Sequence, residues 1–297
     1  MHALRARLPG GRWHFSHGPI DLILLADGEQ RAVEAAHEAA WERFGGLLPE
    51  LVAELPELRR LVGSRCMLQG PVARRMWRAC SPLSRHALTS MAAVAGAVAD
   101  EIMTHYRVPG MARAWVNNGG DIALHLAPGT RTRIALCADP GRRWTPGRAR
   151  FEGETDIDAG MPIRGVATSG WRGRSFSLGI ADSVTVLAGD AAAADAAATV
   201  IANAVDIDDA AIVRRPACAI KDDSDLGERL VTVQVPRLPE AAVGEALDAG
   251  QAMAEELVRH GAIVGAALIC QGQGRLAGRM PSRSRAPAPV EAGGAMA

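Results

Sequence analysis

The sequence predicts an α+β fold in which mixed, mainly antiparallel sheets pack against long helices. The clearest sign is an Asn-Gly turn between the apolar runs 112–116 and 122–126, which is a strong hairpin signal. Apolar residues also recur at helical spacing over long stretches, as in 29–44 and 239–260. A third sign is the apolar strand 183–188, which leads directly into an alanine-rich helix. Hairpins pair neighbouring strands antiparallel, so the predicted sheets are mainly antiparallel.

The first half of the chain is predicted to contain one hairpin followed by four helices. The hairpin joins strands 12–16 and 20–25. The predicted helices cover 29–44, 47–61, 71–80 and 86–105. Gly45-Gly46 ends the first of them, Pro49 lies in the first turn of the second, and Ser84 is the expected N-cap of the last.

The second half is predicted to hold most of the strands. The residues 112–116, 122–126 and 133–137 form a three-stranded meander, and 138–160 form a loop. Further strands are predicted at 163–167, 175–178, 183–188, 212–218, 229–235 and 263–270. We expect residues 1–280 to be a single domain and 281–297, which are low in complexity, to be a disordered C-terminal tail.

Composition excludes several classes of function. The 297 residues have a formal net charge of +0 and only 4% aromatic residues, so no nucleic-acid partner is expected. No apolar run has the length and character of a membrane span. The five cysteines form no Cys-x-x-Cys pair, which argues against zinc and disulfides and favours the cytoplasm. A homo-oligomer is left open.

The alanine-rich helix after residue 190 carries a pair of oxygen-bearing side chains. Asp195 and Thr199 are four residues apart, so they lie on one face of the helix, one turn from each other. A carboxylate and a hydroxyl in this arrangement could ligate Mg²⁺, with backbone carbonyls and phosphate oxygens completing the shell. The alternative is that Asp195 is a solvated residue favoured by the helix dipole.

Two turns could recognise a ligand through their backbone. In residues 117–121 two glycines remove every Cβ that would hold a ligand away from backbone amides, although an ordinary tight hairpin explains the same residues. Residues 168–170 could present hydroxyl and amide donors to a phosphate, or could simply end a strand. The segment 272–277 superficially matches a dinucleotide fingerprint, but we reject it because no helix is predicted after it.

Four segments of the chain occur in one order. They are the small-residue segment MAAVAGAVAD, the turn VNNGGDI, the turn VATSG, and the strand SVTV followed by the helix ADAAAT. In this the chain resembles the ApbE-like superfamily of FAD:protein FMN transferases, over roughly residues 80–206. The resemblance implies an ApbE-like fold with Mg²⁺ bound by Asp195 and Thr199. It implies cofactor contacts from a flavin-nucleotide turn, from the turn beside it and from the small-residue helix: Asn117, Gly119, Gly120, Asp121; Thr168, Ser169, Gly170; Gly96 and Asp100.

The chain departs from the transferase pattern at two places, as does a bacterial and archaeal branch that it resembles. The family's Lys-Gly becomes Ala95-Gly96, and the His-Ile-Asp-Pro segment is missing from the interval 171–182. Arg172, Arg174 and Asp182 are the residues there that could supply replacement charge. The catalytic residues are therefore left unassigned.

The function that the resemblance implies is binding of a flavin nucleotide, FAD or FMN, at a Mg²⁺-dependent pyrophosphate site. The protein would then be an FMN transferase, with an acceptor protein as partner, or an FAD pyrophosphatase. The alternative from another class is a non-catalytic protein that binds flavin or another nucleotide, or that acts in assembly. The missing histidine segment favours this alternative.

Overall fold

One nine-stranded antiparallel sheet organises the computed structural model, which describes residues 2–137 and 151–281. The strands in chain order are β1 (Leu4–Arg7), β2 (Trp13–His17), β3 (Ile20–Gly28), β4 (Met111–Asn118), β5 (Asp121–Leu126), β6 (Arg131–Cys137), β7 (Phe151–Asp158), β8 (Gly165–Ser169), β9 (Ser183–Ala188), β10 (Val213–Pro216), β11 (Leu230–Gln234), β12 (Gly265–Cys270) and β13 (Gln273–Gly278). The main sheet has the order β1-β2-β3-β4-β5-β8-β9-β12-β13, while β6-β7 and β10-β11 form separate pairs.

Six α-helices lie in the described ranges. They are α1 (Gln30–Ala53), α2 (Leu55–Leu58), α3 (Pro71–Cys80), α4 (Val94–Met103), α5 (Ala191–Ala204) and α6 (Glu240–Arg259). The predicted α+β class with mainly antiparallel strands is confirmed. None of these helices is long and apolar enough to cross a membrane.

The alanine-rich helix α5 lies at the centre of this arrangement. It packs against β8 and β9 of the sheet and against α4 and α6. Nine of its residues are buried, seven of them alanines, so it has no broad solvent-exposed face. A helix that is apolar nearly all round is a core helix, and its small side chains allow neighbouring backbones to approach closely.

Gly165 provides the closest of these approaches between α5 and the sheet. A Cβ at this position would lie 2.0 Å from the carbonyl carbon of Asp190, the residue that caps α5. Its neighbour in the register is Ala188 of β9, and the strand and the helix start are thus in direct backbone contact.

Two predicted helix boundaries are wrong. The first helix does not end at Gly45-Gly46, and no second helix begins at residue 47: α1 continues to Ala53 with Pro49 inside it. Its buried positions Phe44, Leu47 and Leu51 extend one apolar face past the glycines, so packing against the core keeps the helix continuous.

The helix predicted over 86–105 begins only at Val94, after two 3-10 turns, Ser81–His86 and Ser90–Ala93. Ala87 has a φ of 54°, and the carbonyl of Leu88 accepts a hydrogen bond from the N–H of Val62 at 2.8 Å. The left-handed backbone of Ala87 and the β-bridge between Leu61 and Thr89 exclude a helix through 87–89. Ser84 therefore is not the N-cap of α4, and lies within the first 3-10 turn.

The predicted meander is also wrong in its third strand. The strand β6 pairs with β7, which forms within the predicted loop, and the free edge of β5 pairs with β8 instead.

Two further strand predictions differ from the structure. Residues 175–178 are not a strand, and the N–H of Leu178 donates instead to the side chain of Asn203 at 2.9 Å. The strand β13 was not predicted, and its hairpin with β12 confirms that 272–277 is not a dinucleotide fingerprint. Residues 138–150 and 282–297, including all but the first residue of the predicted tail, lie outside the described residues.

We expect Gly165→Ala to lower the free energy of unfolding by about 1–3 kcal/mol, because the new methyl group would overlap the backbone at Asp190. Gly189→Ala is the matched control, since its Cβ meets no atom within 4 Å. Urea unfolding of both variants measures the difference. Equal stability of the two variants would contradict the close approach of β8 and α5.

Candidate functional site

Four segments that are distant in sequence meet at one corner of the structure: the start of α4, the β4–β5 turn, the end of β8 and the first half of α5. Side chains join these segments by three hydrogen bonds: Gly96 N to Asp195 Oδ2 at 3.0 Å, Asn118 Nδ2 to Ala95 O at 3.1 Å, and Thr168 N to Asp121 Oδ1 at 3.2 Å. The structure thus brings together the four segments that sequence analysis had singled out.

The β4–β5 turn is a two-residue hairpin loop. Gly119 and Gly120 have φ values of 66° and 123°, which side-chain-bearing residues rarely adopt. The Oδ1 atom of Asn117 accepts a hydrogen bond from the N–H of Gly120 at 2.8 Å. The side chain of Asn117 therefore stabilises the turn, while the glycines leave its outer surface without Cβ atoms.

Asp195 lies in the second turn of α5, on the side that contacts α4. Burial raises its pKa well above the ordinary value, and the negative charge of Asp121 raises it further. The N–H groups of Gly96 and Ala95 oppose this rise by donating to the carboxylate. Thr199 lies one turn later on α5, as the spacing of the two residues predicts. Its side chain is half-buried.

Asp121 is the second buried carboxyl at this corner. Burial raises its pKa to about 7, although the N–H of Thr168 favours the charged form. In the described part of the chain, no arginine or lysine is among the main groups that set the pKa of Asp121 or Asp195. If both carboxyls are ionised, two negative charges lie close together at this corner.

Two carboxyls that are ionised together at this corner would fit a hard cation such as Mg²⁺, whose preferred ligands are oxygens. The described residues contain no cluster of three or more His, Cys, Asp or Glu side chains that could hold a metal ion. An ion bound by Asp195 and Thr199 would therefore also need backbone carbonyls, water or oxygens of a bound ligand.

Asp100 has a positioning role that the sequence did not reveal. Its buried carboxylate accepts hydrogen bonds from the N–H groups of Ala191 and Ala192, at 3.2 and 2.9 Å. Burial raises its pKa to about 6, the charge of Asp190 adds to the rise, and the two N–H donors oppose it. Asp100 on α4 thus binds the unpaired N–H groups at the start of α5.

Gly96 allows the same two helices to touch. A Cβ there would lie 2.2 Å from the carbonyl oxygen of Ala191, so any larger residue would push α4 away from α5. The sequence signal for this crossing was the small-residue run around Gly96, facing a helix of alanines. Both residues shape the corner, and Asp100 directs its carboxylate at the helix start.

The end of β8 is joined to β9 and to the loop that follows. The hydroxyls of Thr168 and Thr185 are 3.0 Å apart, and sequence analysis had overlooked Thr185 as a neighbour. Ser169 is half-buried at the end of the strand. Gly170 lies against the next loop, since a Cβ there would be 2.5 Å from the carbonyl oxygen of Asp182.

Asp182 acts as a structural anchor. Its Oδ2 accepts a hydrogen bond from the N–H of Gln271 at 2.6 Å, and its Oδ1 accepts one from Nε1 of Trp171 at 3.3 Å. Gln271 has a φ of 45°, so this bond supports an unusual backbone conformation in the β12–β13 turn. The carboxylate is directed into the protein and away from the glycine turn.

The fold and the corner define an α+β protein with a candidate ligand site at a junction of two helices and a hairpin. A family model described as "AbpE bacteria" matches residues 5–276. The chain belongs to this family, and the resemblance drawn from the four motifs is confirmed at the family level.

Sequence relatives come from methanogenic archaea. The UPF0280 protein MK0206 of Methanopyrus kandleri is 32% identical over 222 residues, which are 72% of this chain and 83% of that protein. A UPF0280 protein of Methanoculleus marisnigri is 41% identical over 124 residues. The matched region is 41% of this chain and 48% of that relative, so it spans about half the length of the relative.

Two solved structures are similar to the chain at low identity. The first is the Pseudomonas stutzeri flavinyl transferase ApbE in its apo form, which has 14% identity and a TM-score of 0.43 over 95% of each chain. The second is the flavin transferase ApbE from Vibrio cholerae, which has 14% identity and a TM-score of 0.43 over 93% of this chain and 96% of that one. Family membership rests on the family model and the sequence relatives, and not on these likenesses.

Asp100→Ala should lower the free energy of unfolding by about 2–3 kcal/mol, because two N–H groups at the start of α5 would lose a buried acceptor. Asp248→Ala serves as the control, since it removes an exposed pair with Arg275 and should change stability by less than about 1 kcal/mol. Chemical denaturation of both variants tests this. A similar small effect at both positions would refute the capping role.

Proposed function

We propose that this protein binds a flavin nucleotide, FAD or FMN, at the corner formed by α4, α5 and the β4–β5 turn, together with Mg²⁺. The observation that carries the proposal is the buried carboxyl of Asp121 close to the half-buried Asp195, beside a turn made of two glycines. Membership of the AbpE bacteria family supports flavin as the nucleotide, through the motif resemblance that led to it.

In this proposal each of the nine residues predicted to contact the cofactor has one of two roles. Residues that face the ligand through backbone or hydroxyl groups are Asn117, Gly119, Gly120, Asp121, Thr168, Ser169 and Gly170. Gly96 and Asp100 act by positioning α5 against α4, since their contacts are with the start of that helix.

Asp195 and Thr199 would hold the Mg²⁺ through a carboxylate and a hydroxyl oxygen. When bound, the ion would stabilise negative charge on the pyrophosphate of the nucleotide. The N–H of Gly96 supports this role, because it donates to Oδ2 of Asp195 at 3.0 Å and so holds the carboxylate in place.

The reaction class that fits such a site is cleavage of the FAD pyrophosphate. Attack by a hydroxyl of an acceptor protein would break the P–O–P bridge, join FMN to that protein and release AMP. Attack by water would break the same bridge and give free FMN and AMP. The two outcomes separate a transferase from a pyrophosphatase by whether FMN remains on a protein.

A non-catalytic flavin- or nucleotide-binding or assembly protein is the second candidate. It is favoured by the loop 171–182, which contains no histidine and whose carboxylate, Asp182, is bound to Gln271 and Trp171. A protein of this class would bind the nucleotide and leave it intact.

Incubation of the purified protein with FAD and Mg²⁺, followed by chromatography, tests catalysis. We expect FMN and AMP to appear with wild type, and Asp195→Ala to abolish the Mg²⁺-dependent part by removing a metal ligand. Asp248→Asn is the control, because it changes an exposed carboxylate paired with Arg275.

Two further results would change this assignment. Turnover by Asp195→Ala equal to that of wild type would refute the metal site. Wild type that gains thermal stability from FAD but forms no product would favour the non-catalytic candidate.

A further inference from the structure

The loop 171–182 contains the three charged residues that sequence analysis left open, and the structure assigns them different roles. The guanidinium of Arg172 lies 4.8 Å from the ring centre of Trp171, and its Nε is 3.7 Å from Oδ1 of Asp182. Asp182 is itself bound to Gln271 and Trp171. Arg172 and Asp182 therefore stabilise the loop.

Arg174 is placed differently. It is exposed, and its Nη1 lies 2.9 Å from the point that a Cβ of Gly119 would occupy. The glycine thus leaves room for the guanidinium directly on the β4–β5 turn. In the ranges 2–137 and 151–281, no carboxylate of a described side chain forms an ion pair with it.

The charges around the turn have opposite signs on its two sides. Asp121 follows the glycines, is buried, and directs its Oδ1 at the N–H of Thr168. Arg174 covers Gly119 from the solvent side. An anion that approached the turn near ionised carboxyls of Asp121 and Asp195 would be repelled unless cations contacted it, and Arg174 is a cationic side chain placed directly on the turn.

We propose that Arg174 is a specificity-determining residue that binds the diphosphate of the nucleotide over the Gly119–Gly120 turn. A guanidinium offers paired N–H donors whose spacing matches two phosphate oxygens, so it recognises phosphate by shape and by charge. This inference rests on the proposed function, because it names the part of the ligand that the turn would face.

The test compares Arg174→Gln with Arg172→Gln, a control in the same loop that also loses one positive charge. Isothermal titration with FAD, riboflavin and inorganic pyrophosphate, at one ionic strength and one Mg²⁺ concentration, gives the affinities. We expect Arg174→Gln to weaken FAD and pyrophosphate about tenfold to a hundredfold and to leave riboflavin, which has no phosphate, unchanged. Arg174→Lys should restore part of the loss.

Melting temperatures separate binding from folding. Arg174→Gln should melt like wild type, since the exposed side chain has no ion-pair partner among the described residues. FAD affinity that is unchanged in Arg174→Gln, or that falls equally in Arg172→Gln, would overturn the role of Arg174 and leave flavin binding intact.

Other outcomes distinguish the two proposals. Wild type that binds pyrophosphate but not FAD, with pyrophosphate lost in Arg174→Gln, would support Arg174 and refute the flavin assignment. Wild type that binds none of the phosphate-bearing probes would overturn both.

Discussion

The contact between Asp100 and the start of α5 is the constraint on which the candidate site depends. The carboxylate binds two N–H groups of the helix, and Gly96, one turn earlier on α4, lets the helices touch. Because Asp195 follows on α5 and is bound by the N–H of Gly96, this crossing also places the proposed metal ligand. A shift of either helix would separate Asp195 from Gly96 and from the β4–β5 turn together.

Local patterns in the sequence were sufficient for the elements whose cause is local. The turn at Gly119–Gly120 follows from residues that tolerate positive φ, and α5 follows from alanine and an aspartate cap. The pairing of β5 with β8 and the late start of α4 could not be predicted, because distant backbone decides them, as in the bond between Val62 and Leu88. The role of Asp100 was hidden for the same reason, since its partners lie about 90 residues away.

The electrostatics of the corner combine two arrangements that have different purposes. Asp100 is buried next to backbone donors that use its charge, which is a structural arrangement. Asp121 and Asp195 each receive N–H donors, but burial still raises both pKa values, and the charge of Asp121 raises the pKa of Asp195 further. Carboxyls that the fold leaves in this state are typical of sites that bind a cation or exchange a proton. What separates the two arrangements is the partner, because Asp100 binds the start of a helix whereas Asp121 and Asp195 lie close to each other.

The composition of α5 has a consequence for how the corner can respond to a ligand. Alanine has no side-chain rotamers, so burying the first half of this helix costs little side-chain entropy and leaves few side chains on it that can repack. A bound nucleotide could not be accommodated by small rotations of side chains around Asp195. Any adjustment would have to move the helix as a rigid unit, with its contacts to α4 and the sheet. The shape of the corner around Asp195 would then be set by the backbone geometry of the folded chain before the ligand arrives.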